Sequence, residues 1–109
     1  MAGHFFTTAR GKAIRDSVLR RDDYTCQMCG ADLRPGKRHK HSAVVDHTRP
    51  VSLRPDLQED RDNMRAVCRT CHAVCDSIEK RANGDEARIA REKAAYRPVG
   101  RDGYPVNLK

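Results

Sequence analysis

The chain has 109 residues and a mass of 12.3 kDa, which fits one domain or one domain with tails. Only 38% of residues are hydrophobic and 5% aromatic, with no Trp, so a thick multilayer core is excluded. Lys and Arg number 22 against 15 Asp and Glu, a net charge of 22 − 15 = +7, which favours a polyanionic partner through counterion release.

In chain order, residues Thr7 to Arg21 read as a helix that Thr7 or Thr8 can cap. Ala9, Ala13, Ile14, Val18 and Leu19 recur along it at helical spacing. Asp22 and Asp23 oppose the dipole at a helix C-terminus, so the helix is expected to stop there. Tyr24 to Gly30 forms a tight turn, and Arg34 to His41 a turn with a basic cluster that includes Lys37. Ser42 to Asp46 carries Ala-Val-Val and reads as a short strand. His47 to Asp62, with Pro50 and Pro55, reads as a loop, and Asn63 to Cys68 as a second strand.

Thr70 is expected to cap a helix running to Ala82. On it Cys71, Val74, Cys75, Ile78 and Ala82 share one stripe, with His72, Asp76 and Glu79 on the neighbouring face. Asn83-Gly84 breaks the chain before a helical stretch from Asp85 to Tyr96, and Arg97 to Lys109 reads as loop. The apolar runs fall far short of the about 18 residues needed to span a membrane. Met1 to Phe6 lacks the pattern of a secretory signal, so a reducing cytoplasm is the expected location. Gly11-Lys12 lacks the glycine spacing of a phosphate loop.

Five cysteines carry the sharpest signal. Four form two Cys-x-x-Cys pairs, Cys26/Cys29 and Cys68/Cys71, separated by 68 − 29 − 1 = 38 residues. A two-residue spacer lets both sulfurs of a tight turn face one ion, while backbone N–H groups stabilise the thiolates. The pattern therefore points to a structural zinc with four thiolate ligands. Two disulfides are disfavoured by the odd count and the missing signal. Two redox motifs are disfavoured by the short chain. A zinc site offsets a thin core with folding free energy on the order of 10 kcal/mol. Cys75 falls on the apolar stripe and reads as a small buried residue.

The segment clamped between the pairs, with the helix after it, holds a second constellation. Asp46 and His47 end the first strand, Asn63 opens the second after 15 intervening residues, and His72 follows after 8 more, just past Cys71. A hairpin followed by a helix brings these to one edge. Neighbours on a strand point to opposite sides, so Asp46 and His47 present their side chains in two directions.

In these residues the chain resembles the HNH endonucleases, in their four-cysteine form. The matching segments are Val44-Val45-Asp46-His47-Thr48-Arg49-Pro50 and Asp62-Asn63-Met64-Arg65-Ala66-Val67-Cys68-Arg69-Thr70-Cys71-His72. Arg21 to Cys26 and Gly100 to Pro105 are similar to further family segments, so the likeness covers about residues 10 to 105. The chain departs from the family at Cys75-Asp76, where Lys-Thr often stands.

The resemblance implies an α+β fold: a small ββα-metal domain with a four-cysteine structural zinc and flanking helices. The expected parts are an N-terminal helix (1–22), the HNH domain with its zinc knuckles (23–82), and a C-terminal helix and tail (83–109). It implies a hydrolase of DNA phosphodiester bonds. His47 is then the general base, Asn63 fixes the loop and orients His47, and Asp46 and His72 hold a catalytic divalent ion such as magnesium or manganese. Asp76 is an added candidate third ligand, although a solvated helix carboxylate is the plainer reading. Arg49, Arg65 and Arg69 are candidates for phosphate contact, with little sequence preference expected. The rival from another class is a zinc-stabilised DNA-binding module without catalysis. A zinc ribbon that binds proteins fits the basic charge and sparse aromatics less well. The family implies DNA as partner and a setting in phage or bacterial defence, with protein partners of that setting. It leaves the oligomeric state open.

Overall fold

The computed structural model describes residues 5–36 and 38–98. Lys37 and the Gly100 to Pro105 segment lie outside them. Helix α1 spans Ala9–Arg21 and is capped by Thr8, whose Oγ1 accepts the Gly11 N–H at 3.0 Å. Ile14, Val18 and Leu19 are buried as the periodicity predicts, whereas Ala9 and Ala13 face solvent. Gly11 takes a buried place instead. A Cβ there would lie 2.0 Å from the Phe5 carbonyl oxygen, so only glycine lets the segment at Phe5 cross the helix this closely.

The helix stops at Arg21, and Asp22 serves as its C-cap. The Asp22 carboxylate accepts the Ala66 N–H at 2.8 Å and so ties the end of α1 to the sheet. Asp23 (φ 55) and Tyr24 (φ 48) then turn the chain through the left-handed region into the first cysteine turn.

Strand β1 (Ala43–His47) pairs antiparallel with β2 (Met64–Cys68), with Ala43 opposite Cys68 and His47 opposite Met64. Each strand is displaced by one residue from its sequence boundary: His47 is inside β1, and Asn63 sits just before β2. The connection between them is more ordered than a plain loop. It holds 3-10 turns at Pro55–Leu57 and Arg61–Asn63, the second capped by the Asp60 side chain.

Helix α2 runs from Arg69 to Ala82, and its N-cap is Cys68 rather than Thr70. The sulfur of Cys68 accepts the Cys71 N–H at 3.4 Å, so the second cysteine turn is itself the helix start. Thr70 instead donates its N–H and hydroxyl to the Lys40 carbonyl. Asn83 (φ 46) and Gly84 (φ 89) end α2 in the left-handed region. Asp85 caps α3, Glu86–Ala95, by accepting the Arg88 N–H.

The main core gathers Val18 and Leu19 of α1, Met28, Leu33, Val45, Ala66, Val67, Cys71 and Cys75. A second cluster of Ile78, Ala82 and Ile89 joins α3 to α2, bridged to the first by Val74. No helix among the described residues is long and apolar enough to cross a membrane.

Candidate active site and metal centre

The two cysteine turns meet where β2 runs into α2. One ligand atom from each of Cys26, Cys29, Cys68 and Cys71 lies within 4.8 Å of the others, and Cys29 Sγ is 3.8 Å from Cys68 Sγ. A tetrahedral zinc with bonds of about 2.3 Å places its sulfurs about 3.8 Å apart, so the spacing fits. Each turn carries its own N–H to sulfur contact, Cys29 N to Cys26 Sγ at 3.5 Å and Cys71 N to Cys68 Sγ at 3.4 Å.

The thiols cannot all ionise together without a cation. Cys26 is drawn down to about 4 by the Cys71 thiol and by backbone N–H groups. Burial pushes Cys29 up to about 11, and the neighbouring thiolate raises Cys71. A bound dication removes this conflict, which is the chemistry expected of a metal site. Cys75 stands apart. It is fully buried, its thiol contacts Met28 Sδ, and burial pushes it up to about 12.

The end of β1 is the second site. Asp46 and His47 are adjacent, both buried, and their side chains have different neighbours. Asp46 Oδ1 lies 3.8 Å from His72 Nε2 on the first turn of α2. A carboxylate and an imidazole converging in this way are a donor pair that suits a divalent ion. Among the described residues, the cysteines form the one cluster of three or more candidate ligands; Asp46 and His72 are a pair. Asp76 approaches His72 from the other ring nitrogen, Nδ1, at 3.9 Å and is 57% exposed in its side chain, as a solvated helix carboxylate would be.

His47 is held by groups that sequence reasoning did not find. Its Nε2 lies 2.9 Å from the Gln58 carbonyl oxygen, and Phe6 stacks on the ring at 5.6 Å between centroids. A carbonyl only accepts, so Nε2 carries the hydrogen and the free lone pair of the neutral ring is at Nδ1. Asn63 makes no hydrogen bond to the His47 ring. Its side chain spans the backbone of Arg49: Oδ1 accepts the Arg49 N–H at 2.9 Å and Nδ2 donates to the Arg49 carbonyl at 3.0 Å. Asn63 thus fixes the loop that leaves β1.

Of the three candidate phosphate-contact arginines, Arg49 is engaged with Glu86, which also receives Arg54. Arg65 turns inward and donates to the Lys93 carbonyl, while Arg69 is exposed at the start of α2. Lys93 itself was invisible as a site residue. It lies four residues after the buried Ile89 on the same helix face, and its Nζ contacts the Asp46 carboxylate at 3.1 and 3.3 Å. A cation therefore already sits against Asp46.

The comparisons agree with this geometry. The family model of the HNH endonucleases matches residues 26–73, from the first cysteine to just past His72. A protein of Lactococcus phage SK1 described as a probable HNH endonuclease is 32% identical over 72 residues, covering 66% of this chain and 74% of that one. No solved structure matches the chain. The hairpin, the helix that follows it, the two cysteine turns and this kinship define a small nuclease-class domain of the ββα-metal type. The chain belongs to the HNH endonuclease family.

Proposed function

We propose that the chain is a metal-dependent endonuclease that hydrolyses phosphodiester bonds in DNA, with zinc in the four-cysteine site as its structural ion. The observation that carries this reading is the meeting of Asp46 and His72, 3.8 Å apart, beside a His47 whose ring is pinned through Nε2. His47 Nδ1 takes a proton from water, whose oxygen bonds to phosphorus as the bond to the 3′ oxygen breaks. The Gln58 carbonyl keeps the imidazole in the tautomer that can do this and favours the imidazolium that forms. Asp46 and His72 would hold a divalent ion such as magnesium or manganese, which supplies positive charge against the transition state and the leaving oxygen. Asn63 holds the Arg49 loop, and Arg49 and the exposed Arg69 are the candidates for meeting the DNA backbone.

Nicking of supercoiled plasmid in magnesium or manganese tests the reading. His47→Ala is expected to lower the rate by about 10²- to 10⁴-fold, while melting, zinc content and DNA affinity stay near the parent's. A variant that nicks as fast as the parent removes the base assignment. A parent that binds DNA but never nicks it, with any divalent ion, reduces the protein to a binding module.

A further inference from the structure

Lys93 on α3 is fully buried, an uncommon position for a lysine. Its Nζ meets three acceptor groups: the Asp46 carboxylate at 3.1 and 3.3 Å, the His47 carbonyl at 2.8 Å and Glu79 Oε2 at 2.8 Å. An ammonium has three N–H donors, so the site satisfies it fully. The backbone at the same residue is gripped as well, because Arg65 donates to the Lys93 carbonyl. Asp46 is only 2% exposed, and a carboxylate buried so deeply needs a positive partner.

The ammonium leans toward Asp46 Oδ2, while Oδ1 is the oxygen that faces His72. The ammonium bonds both oxygens of the carboxylate, so Oδ1 is shared between Lys93 and the His72 side of the site. We propose that Lys93 is the resident counter-cation of the Asp46–His72 site. It neutralises Asp46 while no ion is bound, holds Oδ1 toward His72, and keeps the affinity of the DNA-free protein for divalent ions low. This rests on the ion-site reading above. It also gives α3, which lies beyond the matched residues 26–73, a part in that site. A dication beside a fixed ammonium meets Coulomb repulsion, and removing the ammonium frees a whole carboxylate charge for the ion. Lys93 is thus a positioning residue that tunes a ligand.

The test is Mn2+ binding to the zinc-loaded protein without DNA, followed by calorimetric titration and by the melting shift that Mn2+ induces. Lys93→Met is expected to melt lower than the parent when Mn2+ is absent, to bind Mn2+ on the order of tenfold more tightly, and to gain a larger melting shift from it. Lys93→Gln, which keeps a hydrogen-bond donor without the charge, is expected to move the same way. Lys93→Arg restores the charge and is expected to bind Mn2+ as weakly as the parent. A folded Lys93→Met or Lys93→Gln protein with unchanged or weaker Mn2+ affinity overturns the proposal. If both fold only with Mn2+ present, the proposal stands; if both stay unfolded whatever the ion, Lys93 is a structural anchor and the proposal falls. The Lys93→Met/His72→Ala double variant separates the two readings. Tight Mn2+ binding that survives the loss of His72 puts the ion elsewhere and overturns the ion site itself.

Discussion

The cysteine cluster and the ion site proposed at the end of β1 are built in opposite ways. Each cysteine pair lies in one tight turn, and each turn supplies its own N–H to sulfur contact. Tertiary structure only brings the two finished halves together. At the end of β1 almost nothing is local. Asp46 is neutralised by a lysine 47 positions away, and the His47 ring is fixed by a carbonyl 11 positions away and by Phe6. The first site is thus a staple that the chain closes on itself. The second is a convergence that depends on the segment at Phe6, α2, α3 and the connecting loop all being in place.

This contrast predicts where damage spreads. The largest effect is expected from Cys26→Ser, which removes a ligand from a site that supplies folding free energy on the order of 10 kcal/mol. The variant is expected to lose its cooperative melting transition and to release zinc. A stable, zinc-free variant would show that the staple is dispensable. Next comes Gly11→Ala. Its methyl group meets the Phe5 carbonyl at 2.0 Å, so backbone must move, at about 1–3 kcal/mol in urea unfolding. The same shift disturbs Phe6, and slower nicking that exceeds the loss of folded protein would show that the cover over His47 matters.

Asn63→Ala is expected to cost about 1–3 kcal/mol, because it leaves both backbone groups of Arg49 without their partner. Faster amide exchange at Arg49, with the cysteine turns still protected, would locate the damage in the loop. The smallest effect concerns Glu86, whose carboxyl is held below its ordinary range first by Arg54 and then by Arg49. A depressed carboxyl contributes stability above its unfolded-state pKa and loses it as pH falls through the folded-state value. The gap in melting temperature between parent and Glu86→Gln is therefore expected to be small at neutral pH and to close in acid. A gap that widens in acid would contradict the pairing.

Much of this was readable from residue order. The helix at Thr8, the hairpin, the stripe of Cys71, Cys75, Ile78 and Ala82, and the stop at Asn83-Gly84 all follow from short-range rules, and the boundaries moved by one or two residues. The cap of α2 was misassigned to Thr70 because a cysteine sulfur is not an ordinary cap; here its role as a ligand puts it at the helix start. Ala9 and Ala13 share the helical spacing of Ile14 and Val18 yet face solvent, and spacing cannot reveal that Phe5 crosses at Gly11. Asn63 fixes the loop after β1 as expected, but its choice of the Arg49 backbone was not legible, since hydrogen-bond partners across a loop leave no periodic trace.

The sequence by itself determined the two cysteine turns, the strand-ending Asp-His pair and the kinship they carry, because spacers of two residues and alternating strands act over a few bonds. The tertiary structure alone decided what each polar group faces. Burying Asp46 and His47 requires a charge and an acceptor at fixed distances, and folding drew these from α3 and from the turn at Gln58.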